Sequence, residues 1–571
     1  MGLAVKLTLA IAFLLLTSLA GYKATAQDIP YPDSATVLKV GQVTEREITH
    51  DADHLYRISL DQNEYVRFNF NAYPNGLAIK LFSPKGNQIQ QKWSPTNNAP
   101  LSLTFFAEEA GAYEFTVLLG GKDTGTYHLA LESPFTAGQA AQERSKLLQV
   151  TNWISKDAVP LTSLEPGENT KDLRRLKSSL AATRIVGLGE ATHGSREFFQ
   201  VKHRLLEFLV KEMNFTHFAI EGSQSAARAV NDYVLHGKGS GTAALASMGA
   251  WQWNTEEVTA LLNWMRSYNQ TVAEDKKVQF VGFDFQVNDP AVEELLSFLR
   301  KVAPEKAAGA ESLLQPLVLP VDPAKPSYLQ YYAFSKEKKD SVVQKVSLLN
   351  EFVLDNQQSF EQKTSSAEVN AAVQNLLLLN QFAITYNTDG YDIKDPASGL
   401  AVRDRYMAEN LLKFLSDRED AKIVVWSHNE HIKKDSYNMG YFLSEKLGEA
   451  YYAIGLGFVE GSFQAIEITS KGAGPVKEMS VGPPFQNSVD WYMKRTRKGN
   501  SFLDFRKAPR SGPFRDWLAT ALDMRSIGNG FAPSNPSGYY RPPIVLQDCY
   551  DGLIYIEKVT RARPNPPLTS N

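Results

Sequence analysis

The sequence predicts an α/β fold: a mainly parallel sheet flanked by helices, carrying a long helical insertion and preceded by a small all-β sandwich. Three observations predict it. Apolar runs at Ile185, 216–221, 278–284, 423–428, 451–458 and 552–558 alternate with stretches of helical periodicity, the pattern of parallel strands joined by crossover helices. Residues 36 to 133 hold short alternating segments (YRISL, EYVRFNFNAY, LAIKLFSP, LSLTFFA, AYEFTVLL, TYHLALE) between Gly, Pro, Asn and Asp turn signals. Between Tyr328 and Phe414 apolar residues recur every three or four positions with no strand signal, so helices packed as a bundle are expected there.

Taken in order, the chain starts with Lys6, an apolar core from Leu7 to Ala20, and Ala24-Thr25-Ala26 before Gln27. This is the pattern of a cleaved secretory signal over residues 1–26, and it places the mature protein in the periplasm or outside the cell. No later run is long and apolar enough for a membrane span. The sandwich is expected over 27–135, an α/β unit over 136–565 with its helical insertion at about 328–416, and a loose tail at 566–571, the end of the Pro-rich stretch RARPNPPLTSN. With 571 residues, the chain exceeds what a single core usually organises, roughly 250 to 300 residues.

Composition narrows the chemistry. A formal net charge of -3 shows no bias toward nucleic acid or an anionic membrane, so a small neutral molecule or a glycan is the expected partner. Cys549 is the only cysteine, which excludes an internal disulfide framework and a zinc site built from several thiolates. His50, His54 and His128 lie in the sandwich without a partnering cluster and read as surface or turn residues.

Four apolar runs end in ionisable residues: Glu190 with His193 three later, Glu221, Asp284, and His428 with His431 three later. Each alone has a plain explanation, since a carboxylate after a strand commonly caps the next helix. Parallel topology, however, would deliver all four ends to one sheet edge, where ligands bind in open α/β folds. Three imidazoles and three carboxylates then converge, a set suited to general acid/base chemistry near neutral pH. Gly187, Gly189 and Gly194 would permit a tight turn and a close backbone approach to substrate. Ser195 is expected to cap the helix beginning at Arg196, whose amides could stabilise an oxyanion. Lys202 lies two turns up that helix and leans back toward the His193 turn. The alternative is a solvated lysine beside Arg204 and Lys211.

Competing chemistries are weaker. The serine-hydrolase elbow G-x-S-x-G is absent, and Gly239-Ser240-Gly241 has the wrong spacing. Cys549 as nucleophile would sit far from His193 and His428 in sequence. A divalent metal is the stronger rival, with Glu190, His193, Glu221 and His428 as candidate ligands. The motif H-E-x-x-H is nevertheless absent, and His428 and His431 are not an i, i+4 pair.

GLGEATHGSREFF with Lys202, then FAIEGS, VGFD, RDRYMAEN, VVWSHNEHIKK and YDGLIYIEK, resemble the erythromycin esterase family in order and spacing, from about Ile154 to Arg563. The sandwich, through AYEFTV and GTYHLAL, resembles the bacterial pre-peptidase C-terminal type of jelly roll, which often accompanies secreted hydrolases. The first resemblance implies hydrolysis of a macrolide lactone by activated water without an acyl-enzyme, and with it antibiotic resistance. It implies that His193 is the general base with Glu190 beside it, and that Glu221, Lys202 (where Arg is also found), His428 and His431 belong to the active-site cleft. Arg403, Asp284, Thr192 and Gly194 are the expected substrate-binding positions. No cofactor is required on this reading. Members of the family also carry a succinoglycan-biosynthesis label, so motif and fold leave the ester open. The alternatives are a metal-dependent hydrolase on the same residues and a non-catalytic envelope protein that binds a ligand in the cleft, with glycan or protein on the sandwich.

Overall fold

A computed structural model describes residues 35–567, apart from 51, 72–73, 75, 94–100, 120–123, 319–330, 332, 391 and 541–542. The expected signal segment and the tail residues 568–571 lie outside the described residues.

The α/β part is built on a mixed 10-stranded sheet. Its order is Val159–Pro160, Ser501–Asp504, Gly552–Val559, Tyr451–Thr469, Ile185–Leu188, Ile423–Trp426, His217–Ser223 and Gln279–Asp284, with Gly472–Val481 and Gly530–Phe531 pairing on the long Tyr451–Thr469 strand. The six apolar runs of the sequence form its parallel part, with Gln279–Asp284 at the edge. Antiparallel pairings add Ser501–Asp504 to Gly552–Val559 and Gly472–Val481 to Tyr451–Thr469. Neither is marked as a strand by its pattern, because the first, SFLD, has only two apolar residues and the second is largely exposed.

The strands Ile185–Leu188 and His217–Ser223, joined by the helix Arg196–Met213, are parallel but not neighbours. Ile423–Trp426 lies between them, in register with both. Side chains alternate across the sheet as strand geometry requires. Ile185, Ala219, Ile423, Val425 and Ala453 enter one core, and Val186, Phe218, Ile220, Val424 and Trp426 enter the other.

The Arg196–Met213 helix departs from the one-sided burial its pattern suggests. Its polar residues Lys202, His203, Arg204 and Glu207 are buried as well. Arg204 is paired with Asp172 at 2.6 Å, and Glu207 accepts from the Gly167 amide at 2.9 Å, so the segment leading into the sheet covers that face.

The described part of the helical insertion contains Lys336–Asp355, Gln357–Lys363, Ser366–Asn387 and Gly399–Ser416. The last of these packs on the Gln279–Asp284 strand and carries Arg403 and Asp404 to the sheet edge. The N-terminal region forms a five-stranded and a four-stranded sheet around Tyr56, Phe68, Phe70, Phe105, Phe115 and Tyr127. His54 is not a plain surface residue: its Nδ1 lies 2.7 Å from the Tyr127 hydroxyl. The two parts are joined at Gln486, whose side chain bonds both the amide and the carbonyl of Phe106 at 3.0 Å, and at Trp491, which donates to Glu108 at 2.8 Å.

The start of the Pro-rich tail is ordered, contrary to what its composition suggests. Arg561 bridges to Ser195, Pro564 bridges to Thr255, and Asn565 bonds Asn254 and Thr259 at 2.9 Å. Backbone pairing thus offsets the lack of apolar side chains.

Candidate active site

Four strand ends and one helix build the site. The turn after Ile185–Leu188 carries Glu190 and His193, and it is held to the neighbouring strand end by the Asn429 amide, which donates to the Glu190 carbonyl at 2.9 Å. Gly194 closes the turn where only hydrogen fits: a Cβ there would lie 2.0 Å from the Gln464 carbonyl oxygen. In the His217–Ser223 strand the register with Gln279–Asp284 shifts between Ile220 and Ser223, a bulge at Glu221 and Gly222. Gly282 makes room for it, since a Cβ at that position would lie 2.5 Å from the Gly222 carbonyl.

Glu190 is fully buried and fully committed. Oε1 lies 2.6 Å from His193 Nδ1, while Oε2 accepts from Lys202 Nζ at 2.7 Å and from Trp426 Nε1 at 2.8 Å. Lys202 thus reaches back to the turn; it is not a solvated lysine. Its ammonium lies 4.4 Å from the centre of the Trp426 ring, and burial pushes its pKa down to about 8 against the pull of Glu190. His193 is nearly buried. Its ring meets Trp253 edge-on at 5.7 Å and His428 at 5.1 Å between centroids.

His428 accepts a hydrogen bond at Nδ1 from the Glu430 amide at 3.2 Å, so its proton belongs on Nε2. That Nε2 is buried and has no partner among the described residues. Burial, then the neighbouring His193, hold the ring well below the usual imidazole pKa, so His428 is a neutral donor.

Glu221 organises the second half of the site. Oε2 accepts from the Ser427 hydroxyl at 2.7 Å and the His428 amide at 3.0 Å, and Oε1 faces Arg403 Nη2 and His431 Nε2, each at 3.2 Å. Burial alone would raise its pKa, but His431, His193 and Arg403 hold the carboxyl well below the usual range. His431 bonds Asp404 through Nδ1 at 2.9 Å; burial opposes its charge, yet Asp404 and Glu221 raise it to about 10. Arg403 forks onto Asp284 at 2.6 and 3.3 Å. Asp284 is buried against this guanidinium.

Glu190, His193, Lys202, Glu221, His428, His431, Arg403 and Asp284 therefore form one connected cluster. Ser195 stands at the N-cap position of its helix but makes no capping bond, and its hydroxyl is buried without a partner among the described residues. The Cys549 thiol is buried, and burial raises its pKa, which is contrary to what a nucleophile requires. Among the described residues, no group of three or more His, Cys, Asp or Glu side chains could hold a metal ion, and no helix is long and apolar enough to cross a membrane. Trp426, Ser427, Asp404 and Trp253 belong to the site without having been singled out in the sequence. The first two lie inside VVWSHNEHIKK and Asp404 inside RDRYMAEN, so the motifs contained the signal.

A family model described as erythromycin esterase matches residues 210–559. The chain belongs to the erythromycin esterase family. The matched span contains Glu221, Asp284, Arg403, His428 and His431, while Glu190, His193 and Lys202 precede it. The erythromycin esterase type II of Escherichia coli is 25% identical over 452 residues, 72% of this chain and 98% of that protein. The Bacillus subtilis protein YbfO, which carries a hydrolase name, is 25% identical over 75% of this chain and 94% of its own length. Among solved structures, a Bacillus cereus protein is 28% identical at a TM-score of 0.62, covering 74% of this chain and 99% of its own. A mutant of the erythromycin esterase EreC, in its open conformation, shares the fold at 18% identity and a TM-score of 0.55, over 70% of this chain and 97% of its own. Membership of the erythromycin esterase family supports a hydrolase of the esterase type acting on a small molecule.

Proposed function

We propose that the protein hydrolyses a carboxylic ester or lactone by activating water, with His193 as general base. The observation that carries this reading is the 2.6 Å contact between Glu190 and His193 Nδ1. With the Nδ1 proton held by the carboxylate, Nε2 is the basic nitrogen. It takes a proton from water as the water oxygen attacks the ester carbonyl. The Nε2–H of His428 donates to the oxygen on which charge develops. Collapse breaks the bond to the alkoxide, which leaves with the proton held by His193. Lys202 holds Glu190 in place by its hydrogen bond, while Arg403 and His431 hold Glu221 and keep it ionised.

A macrolide lactone is the substrate suggested by the name of the Escherichia coli relative. Mass spectrometry of the purified mature protein with a macrolide panel and simple esters tests both levels, through the gain of one water. Gain on simple esters alone would remove the macrolide and keep the esterase; no gain on any ester would overturn the reading.

The proposed chemistry needs no metal. Lys202 and Arg403 lie against the carboxylates that a dication would need, and both Glu190 oxygens are already bonded. Activity that disappears on chelation and returns with added metal would reverse this part of the proposal. Export to the periplasm or the medium belongs to the same reading and rests on residues 1–26. A mature N-terminus other than Gln27 would count against that cleavage site. The sandwich is proposed to bind glycan or protein, which a pull-down with the isolated α/β relatives as control would test.

A further inference from the structure

Thr192 stands between Glu190 and His193 in the turn but takes no part in their hydrogen bonds. It is fully buried, and its hydroxyl has no partner among the described residues. A threonine hydroxyl both donates and accepts, so burial with neither bond made is unusual in a folded protein. The Thr192 backbone pairs with Gly528: the two residues form an isolated parallel bridge, and the Ile527 amide donates to the Ala191 carbonyl at 2.6 Å. Gly528 has φ +67°, and a Cβ built on it would have His428 Nε2 as its nearest neighbour, at 4.0 Å. That Nε2 is likewise buried without a partner among the described residues. One unpaired donor, His428 Nε2, therefore faces the space left by this glycine, and a second, the Thr192 hydroxyl, belongs to the residue bridged to it, with the His193 ring 5.1 Å from that of His428.

We propose that the Thr192 hydroxyl is a second oxyanion donor for the reaction at His193, sharing with His428 the space that Gly528 keeps open. The inference rests on the ester-hydrolase reading above. As the water oxygen bonds to the carbonyl carbon and His193 Nε2 takes the water proton, the carbonyl π pair moves onto oxygen. That oxygen is the acceptor both donors lack, and it sits between Thr192 Oγ1–H and His428 Nε2–H. When the carbonyl re-forms, the bond to the alkoxide breaks, and His193 returns its proton to the departing oxygen. Ester and water are thereby converted to acid and alcohol, with both donors restored. A glycine is needed opposite because a side chain at position 528 would enter this space from a backbone conformation that L residues rarely adopt.

The test uses the full-length protein with p-nitrophenyl acetate and with an aryl trifluoromethyl ketone, whose hydrate resembles the tetrahedral adduct. Thr192→Val keeps the shape and removes the O–H. Its kcat is expected to fall about 10² to 10³-fold with KM within about twofold, the range for loss of one oxyanion donor. Ketone affinity should fall with kcat, while affinity for the acetate product stays unchanged. Thr192→Ser should recover most of the rate. Thr192→Ala provides the same reading if the valine variant does not fold. Wild-type activity with a folded Val or Ala variant within threefold of it would overturn the proposal and leave the esterase reading standing. Absence of ester hydrolysis by the wild type would instead overturn the esterase reading on which the proposal rests.

Discussion

Glu190 holds His193 by one carboxylate oxygen, at 2.6 Å, and Lys202 by the other, at 2.7 Å, with no solvent contact of its own. The imidazole is thereby fixed in tautomer and orientation before any substrate arrives. His193→Ala is expected to lower kcat by at least about 10²-fold, the lower range for loss of a general base, with folding unchanged. Steady-state kinetics beside circular dichroism check this. Near-normal turnover by the alanine variant would remove His193 from the mechanism.

Lys202 should set an alkaline limit on activity. Below pH about 8 its ammonium is charged and bonded to Glu190; above that value burial favours the neutral amine, and the carboxylate loses its cation. The pH profile of kcat/KM is expected to fall with a midpoint near 8, and Lys202→Arg should carry that fall to higher pH because arginine stays charged. Lys202→Met removes one partner of a buried pair and should destabilise the fold by about 3–5 kcal/mol, measured by urea unfolding. An unchanged alkaline limb in the arginine variant would disconnect Lys202 from the profile.

Asp404 should stabilise the fold through His431. The folded pKa of His431 is raised from 6.5 to about 10, so the contribution is complete below pH 6.5, where the ring is charged in both states, and is lost as pH rises through about 10. Asp404→Asn should therefore lower Tm most between about pH 5 and 6.5, with the gap to wild type closing toward pH 10. A gap independent of pH would mean that the Asp404 bond to the Met439 amide, 2.8 Å long, carries the effect instead.

Gly194→Ala drives a methyl group into backbone, not into a movable side chain. With Gln464 O at 2.0 Å and Gln464 N at 2.6 Å from the new carbon, the turn or the long strand must shift. A loss of about 1–3 kcal/mol is expected, together with reduced kcat because His193 is the adjacent residue. Thermal unfolding and kinetics on the same preparation check both.

Most of the site was legible because strand ends have a simple signature, an apolar run stopping on an ionisable residue. Glu190, Glu221, Asp284 and His428 all follow that rule. Roles were less legible where they depend on a distant partner. Asp284 reads as a strand-end carboxylate, but its bond to Arg403, 119 positions away, is announced by no local pattern. Ser195 has the residue type and position of a cap, but the backbone bridge to Arg561 holds that segment and leaves the hydroxyl unpaired. Trp426 was read only as strand interior because an indole donor is invisible in a hydropathy pattern; its bond to Glu190 spans 236 positions. In the fold, strand order was the least accessible feature, since periodicity identifies a strand without naming its neighbours.

The insertion of Ile423–Trp426 between Ile185–Leu188 and His217–Ser223 also dictates when the protein can fold. Until residue 423 has been synthesised, Ile185–Leu188 lacks both of its sheet neighbours, Ile423–Trp426 and Tyr451–Thr469, and His217–Ser223 has one edge of unpaired amides and carbonyls. A chain cut short before that point would present open strand edges to other molecules. Assembly of the catalytic cluster and closure of the sheet are thus the same late event, and a nascent chain needs protection until that strand arrives.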